Sequence, residues 1–252
     1  MSFNIWEGIY SSFAECPKCG DGFSSERWSN QQFDRIKKLK EEIKQSGEKI
    51  VGCQNGLLPV LAAVVGSDLK NKVRILDFGG GLGNSYLLMT CGCIRNIDFE
   101  FFVMESQEVC EKGMEFFKGD SQIHFYSSLP KEIKNFDIIH LGSSIQYIED
   151  WKGLLTGFTK YNPKYILLAD VPAGNIPTYA TVQNYYESKI PYWFFNINEI
   201  IDCMDSAGYG LLFKSVCSEK RLGKYQPLPQ DNFPLEYRAG ESRNLLFVRK
   251  NK

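Results

Sequence analysis

From Val73 onward the chain alternates short apolar runs with segments of helical periodicity, and this alternation restricts the fold more than any other feature. "VRILDF", "FEFFVME", "IHFY", "FDIIHLG" and "KYILLAD" are apolar through most of their length, with "NSYLLMT", "SQEVCEKGMEFF" and "EDWKGLLTGFTKY" among the segments between them. Strands that are apolar on both faces and alternate with helices belong to a parallel sheet covered on both sides. "NINEIIDCMDSAG" reads as one more helix, with Asn196 and Glu199 at capping-box spacing. "YGLLFKSV" and "RNLLFVRK" close the chain as strands, joined by the proline-rich stretch Ser218–Ser242 and by no obvious helix. A connection without a crossover helix makes the last strand antiparallel. The expected fold class is therefore α/β: a doubly wound, mostly parallel seven-stranded sheet with an antiparallel last strand.

Residues 1–70 lack this alternation and read as a helical N-terminal extension of an α/β domain over 71–252. "SNQQFDRIKKLKEEIKQSG" is an amphipathic helix with a solvated charged face, and "GLLPVLAAVV" a buried one. In the expected helix "NSYLLMT", Asn84 or Ser85 is the cap and Gly92 lies beyond the end.

Composition excludes several partners. Lys plus Arg (29) nearly cancels Asp plus Glu (30), so there is no electrostatic footprint for nucleic acid or an anionic membrane. The longest apolar run, Gly56 to Gly66, is too short to span a bilayer, and "MSFNIWEGIYSSFAEC" has no basic region followed by an apolar one. Eight cysteines without such a leader suggest free thiols in a reducing compartment, so a cytoplasmic location is expected. "CPKCGDG" holds a single CxxC, Cys16 and Cys19, with no second pair or short-range histidines to complete a zinc site. Free thiols are the plainer reading, and no metal is expected.

Gly79, Gly80, Gly81 and Gly83 follow directly on the strand that ends in Asp77. Glycine at a strand-to-helix turn allows left-handed backbone and close approach of a ligand. In open α/β sheets this is the end where ligands bind. The dinucleotide pattern GxGxxG requires a third glycine at position 84 or 86, where Asn84 and Tyr86 stand, and GxxxxGK[ST] is absent. A nicotinamide-dependent sugar oxidoreductase is disfavoured for this reason. What remains is Asp77-x-Gly79-x-Gly81-x-Gly83, with Glu105 closing the next strand about 20 residues further on, where an acidic residue can take both hydroxyls of a ribose.

This pattern resembles motif I of the class I S-adenosylmethionine-dependent methyltransferases, a Rossmann-like fold. An acidic strand end can favour a cofactor that carries an ammonium and a sulfonium and no pyrophosphate. A closer resemblance runs from Trp6 to about Phe195, through "WEGIY", "ILDFGGGLGNSY", "FVMESQEVCEKGMEFF", "IHFYSSLP", "FDIIHLGSSIQYIEDW" and "TVQNYYESKIPYWFF". These segments, in this order, are similar to a methyltransferase family associated with genes for surface polysaccharide and lipopolysaccharide synthesis. That family tends to carry an Asp-Arg-Thr-Pro-like run after the fifth strand, where this chain has "ADVPAG". The resemblance implies S-adenosyl-L-methionine as cofactor, held by Asp77, Gly79, Gly80, Gly81, Gly83, Glu105, Ser106, Ser127, Ser128 and Gly142. It implies a small-molecule or glycan-linked methyl acceptor.

Candidate acceptor-side residues are His140, Tyr147 and Gln183. His140, near the carboxyl end of its strand, is either a base or a hydrogen-bonded core histidine, and His124 reads as structural. After "FDIIHL" the chain has "GSSI", not the Asn/Asp-Pro-Pro-Tyr turn of enzymes that methylate exocyclic base amines. Ser127 and Ser128 either contact an adenine or form an ordinary polar turn. Gln146 and Tyr147 follow the strand of His140. The aromatic stretch Thr181–Phe195 suits a polyhydroxylated acceptor, with Gln183 orienting it and Tyr147 and Tyr186 walling it, or else forms a packed lid. The expected activity is methyl transfer; the alternative is a non-catalytic S-adenosylmethionine-binding protein with a regulatory or assembly role.

Overall fold

The computed structural model describes residues 3–45, 57–68, 72–92, 98–129, 131–217, 220–221 and 224–251. In chain order its elements are β1 (Trp6–Tyr10), α1 (Glu26–Gln45), α2 (Leu57–Asp68), β2 (Val73–Phe78), α3 (Asn84–Gly92), β3 (Phe99–Met104), α4 (Gln107–Phe116) and β4 (Ile123–Tyr126). There follow β5 (Ile138–Gly142), α5 (Trp151–Phe158), β6 (Tyr165–Val171), β7 (Ala173–Gly174), β8 (Tyr179–Tyr185) and β9 (Ser188–Asn196). The chain closes with α6 (Ile197–Ser206), β10 (Tyr209–Cys217), β11 (Lys220–Arg221), β12 (Lys224–Tyr225) and β13 (Ser242–Arg249). The main sheet has seven strands in the order β10-β13-β6-β5-β2-β3-β4. β2 runs parallel to both β3 and β5, β4 runs parallel to β3, and β13 is antiparallel to β10, as the missing crossover helix required.

The described residues group into two compact units. One comprises Phe23–Gly142 and Lys160–Leu167. Here β2 and β5 bury Ile75, Leu76, Ile138 and Ile139, and β3 buries Phe101. Full burial of each such side chain contributes roughly 1.5–3 kcal/mol. α2 buries Leu58, Leu61, Ala62 and Val65, a helical stripe of three- and four-residue steps. α1 begins earlier than its charge pattern suggests, because the Ser25 hydroxyl accepts the Trp28 N–H at 3.3 Å and caps the first turn. It meets α4 through Ser29, whose hydroxyl donates to Glu108 Oε1 at 2.6 Å and accepts from Lys112 Nζ at 2.6 Å. Asn84 is the first residue of α3 and Gly92 its last, so neither lies outside the helix as expected.

The other unit comprises Met1–Gly22, Ser143–Thr159 and Leu168–Lys252. It contains an element absent from the sequence reading. Trp6–Tyr10, inside the stretch read as helical, is a strand, and it pairs antiparallel with β8 so that Trp6 faces Gln183. β8 and β9, the aromatic stretch, form an antiparallel hairpin in the small sheet β1-β8-β9-β7. Alternation along the hairpin turns Tyr179, Tyr192 and Phe194 into one cluster with Trp6, Ile176 and Phe233. The Trp6 ring lies 5.2 Å from that of Phe194, edge to face. α6 is capped by Asn196, whose side chain accepts the Asn198 N–H at 2.9 Å; Glu199 instead pairs with Lys152 at 3.6 Å, so no reciprocal capping box forms. The stretch Ser218–Ser242 carries the two-stranded β11-β12 ladder and a single helical turn at Leu235–Tyr237.

Candidate functional site

The glycine run forms the turn from β2 into α3. Gly79, Gly81 and Gly83 have φ of 68°, 57° and 84°, in the left-handed region that side chains with a Cβ rarely adopt. The loop is tied down at both ends: the Gly79 N–H donates to the Met104 carbonyl at 2.9 Å, and the Gly83 N–H to the Gly80 carbonyl at 3.1 Å. Gly80 and Gly83 are required by space as well. A Cβ at Gly80 would stand 2.4 Å from Asp77 Oδ2, and one at Gly83 would stand 2.8 Å from Ile123 Cδ1. At Gly81 the surroundings are open, with Gln32 Oε1 of α1 the nearest atom to a Cβ, at 3.7 Å.

Asp77 and His140 occupy partner positions on β2 and β5. Residues in register on adjacent parallel strands point to the same face, which brings the two side chains together. Nδ1 of His140 lies 2.7 Å from Oδ1 of Asp77, and each residue is 1% exposed. A carboxylate oxygen accepts, so the ring donates from Nδ1 in this bond. Gly142 makes room for the ring, since a Cβ there would come 2.8 Å from His140 Cε1.

Glu105 follows the end of β3 and reaches the glycine loop. Its Oε1 accepts the Gly81 N–H at 3.3 Å, and its Oε2 accepts the N–H of Ser106, the N-cap of α4, at 2.8 Å. Burial pushes the Glu105 carboxyl above the usual range and the nearby Asp77 charge adds to this, against the pull of the two backbone N–H groups. Ser127 and Ser128 follow β4 and are exposed. His124, on β4, stands 3.5 Å from Glu100, and its ring lies tilted 5.2 Å from that of Phe102.

Buried side-chain polar atoms without a hydrogen-bond partner near the loop include Asp77 Oδ2, Asn84 Oδ1 and His140 Nε2. Asp77 Oδ2 lies directly under Gly80, and Asn84 opens α3 at the end of the same loop. Bare backbone flanked by orphan acceptors and a half-buried carboxylate suits a ligand rich in hydrogen-bond donors. S-adenosylmethionine, with an ammonium and a ribose diol, meets that description.

The other unit holds the acceptor-side candidates. Tyr147 donates its hydroxyl to Gln183 Oε1 at 2.8 Å, joining the turn after β5 to β8. Its ring meets Tyr192 edge to face at 5.2 Å. Tyr186 lies in the β8–β9 turn with φ 52° and 51% exposure, three residues past Gln183. Much of the aromatic stretch is core: Tyr192, Phe194 and Phe195 are buried, and buried Trp193 donates to the Ile148 carbonyl at 3.1 Å. The Cys16 thiol is buried and donates to carbonyls of Ser12 and Thr181, while Cys19 is exposed near the Glu187 carbonyl. Among the described residues no group of three or more histidine, cysteine or acidic side chains is placed to hold a metal.

Gln146 belongs to a cluster whose other members, Ser143 and Asp170, were missed in sequence. Ser143 donates its hydroxyl to Asp170 Oδ2 at 2.9 Å and accepts from Gln146 Nε2 at 3.0 Å. Ser143 and Asp170 both have left-handed φ, 54° and 53°. An acidic residue closing "YILLAD", in the manner of Asp77 and Glu105, was the signal available.

A seven-stranded sheet in this order, with a glycine loop after β2, is the Rossmann-like fold of the class I methyltransferases. A similar solved structure is an S-adenosylmethionine-dependent methyltransferase from Clostridium acetobutylicum, with 13% identity over 87% of this chain and 99% of that one, and a TM-score of 0.52. Magnesium protoporphyrin IX methyltransferase from Synechocystis, solved with bound S-adenosylhomocysteine, shares 13% identity over 89% and 97%, with a TM-score of 0.52. A methyltransferase from Methanosarcina mazei shares 12% over 75% and 98%, with a TM-score of 0.53. No protein-family model and no curated protein matches the chain. Among the described residues no helix is long and apolar enough to cross a membrane.

Proposed function

We propose that the protein is an S-adenosylmethionine-dependent methyltransferase acting on a small or glycan-linked acceptor. The observation that carries this is the contact of Glu105 with the Gly81 N–H, which sets an acidic strand end against a left-handed glycine loop that lacks the dinucleotide glycine. When bound, the cofactor supplies an electrophilic methyl group on a sulfonium. Glu105 would accept the ribose hydroxyls, Asp77 Oδ2 and Asn84 Oδ1 would accept from the cofactor's donors, and the loop of Gly79, Gly80, Gly81 and Gly83 would let it approach the backbone. Ser106, Ser127, Ser128 and Gly142 close the ends of neighbouring strands and would line the adenine and ribose.

On the acceptor side, Gln183 would orient a polar group, with Tyr147 fixing the amide through its hydroxyl. Alignment of this kind is where most of the acceleration of a displacement on an activated methyl arises. His140 serves this reading as a positioning residue: it is buried, and its Nδ1 is committed to Asp77. That burial also favours the second reading, a non-catalytic cofactor-binding protein with a regulatory or assembly role. Formation of S-adenosylhomocysteine with a panel of sugar nucleotides separates the two. Cytoplasmic surface polysaccharide synthesis is the setting we propose, supported by the segment resemblance from Trp6 to Phe195. Products of that class methylated only when the protein is present would bear it out, and an unchanged methylation pattern on deletion would contradict it.

A further inference from the structure

The cluster of Ser143, Gln146 and Asp170 is a built polar site that the cofactor chemistry leaves unused. Left-handed backbone at a residue with a Cβ costs on the order of 1 kcal/mol or more and persists where the surroundings enforce it, often at ligand sites. Here two such residues are hydrogen-bonded to each other through their side chains. The backbone of Asp170 is held from behind, its N–H donating to Asn244 Oδ1 at 3.1 Å, and the Ser143 N–H donates to the Ala169 carbonyl at 2.9 Å.

The hydrogen-bond directions are fixed by elimination. The Ser143 hydroxyl gives its one proton to the Asp170 carboxylate, so the amide beside it must present its NH₂. That leaves Gln146 Oε1 pointing away from Ser143 as an acceptor without a partner, in a residue only 1% exposed. Above it Ser143 is exposed, while Asp170 is buried. An accessible hydroxyl with a buried amide oxygen and a carboxylate behind it offers acceptors to an incoming donor.

We propose that Ser143, Gln146 and Asp170 form a recognition site for the hydroxyls of a sugar-like ligand. Hydroxyls both donate and accept, and so match a neutral amide oxygen, a serine hydroxyl and a carboxylate together. The inference deepens the glycan-acceptor reading above and does not require cofactor binding.

The test uses the full chain, with methyl glycosides of glucose, galactose, mannose and rhamnose as probes and methylammonium chloride as the amine control. Side-chain amide NMR of Gln146 follows each titration of the wild type, while calorimetry with the same glycosides and thermal melts follow Gln146→Leu and Ser143→Gly. The expected result is a saturable shift of the Gln146 amide with at least one glycoside and none with methylammonium. Read by calorimetry, both variants should bind that glycoside at least tenfold more weakly, with a cooperative melt in each showing that it is folded. Affinity for S-adenosylhomocysteine should stay unchanged in both variants. No shift with any glycoside, a shift with methylammonium alone, or glycoside binding intact in both variants would overturn the proposal. If glycosides bind while S-adenosylhomocysteine does not bind wild type, this site stands and the methyltransferase reading falls.

Discussion

Asp77 and His140, partners on adjacent parallel strands, share a 2.7 Å hydrogen bond beneath a glycine loop with no room for a side chain at Gly80. The histidine thus fixes the direction of a carboxylate whose other oxygen faces the loop. His140→Ala should destabilise the protein by about 2–4 kcal/mol, from a lost buried bond and a cavity. Asp77→Asn, which preserves size, should keep more of that stability yet weaken S-adenosylhomocysteine binding at least tenfold. Urea unfolding and calorimetry report the two effects separately.

Glu105 carries a burial cost in the free protein. Its folded pKa lies above the ordinary glutamate value, so ionisation opposes folding. The cost is absent below the unfolded value, grows as pH rises toward the raised one, and is complete above it. Glu105→Gln should therefore melt at the same or a higher temperature than wild type at pH 7, with a flatter pH dependence above the ordinary glutamate value. Its affinity for S-adenosylhomocysteine should fall at least tenfold, since a hydrogen bond to a charged group contributes about 1.5–3 kcal/mol. Equal affinity would remove Glu105 from the ribose.

Two neighbouring glycines should behave differently. Gly80→Ala forces a Cβ onto Asp77 Oδ2 and should cost about 1–3 kcal/mol by overpacking, together with cofactor binding. Gly81→Ala meets open space, so its penalty is the left-handed φ alone, about 1–2 kcal/mol. Melts of both variants check the order.

On the proposed acceptor side, Tyr147 donates its hydroxyl to Gln183. Tyr147→Phe should lower stability by about 1 kcal/mol or less, because Gln183 is only partly buried and water can replace the hydroxyl. Turnover should slow with cofactor affinity unchanged, the pattern of a lost alignment. Unchanged turnover in both Tyr147→Phe and Gln183→Ala would leave this pair a packing contact of the hairpin.

The parallel strands were legible because burial on both faces writes itself as unbroken apolar runs: β2 coincides with "VRILDF", and β6 overlaps "KYILLAD" and runs one residue past it. Glu105 was legible because distance from the glycine loop is a local property. β1 was not. Its partner positions on β8 lie 170 or more residues away in sequence, and Gly8 with φ 77° interrupts its alternation. The hairpin β8–β9 was masked by its aromatics, which read equally as lid or core. Ser143 and Asp170 escaped because no serine or aspartate announces a left-handed φ in sequence, and their contact joins two strand ends. His140 was seen, but its bond to Asp77 depends on strand register, which a single sequence does not encode.

The identity of the molecule that the glycine loop binds separates a methyltransferase from a nicotinamide enzyme. Isothermal calorimetry of the purified full chain with S-adenosylhomocysteine, and separately with NAD⁺ and NADH, tests it most directly. Saturable one-to-one binding of S-adenosylhomocysteine, lost in Asp77→Asn and Glu105→Gln, with no heat from either nicotinamide, is the expected result. Tight binding of NAD⁺ or NADH with no response to S-adenosylhomocysteine would contradict it.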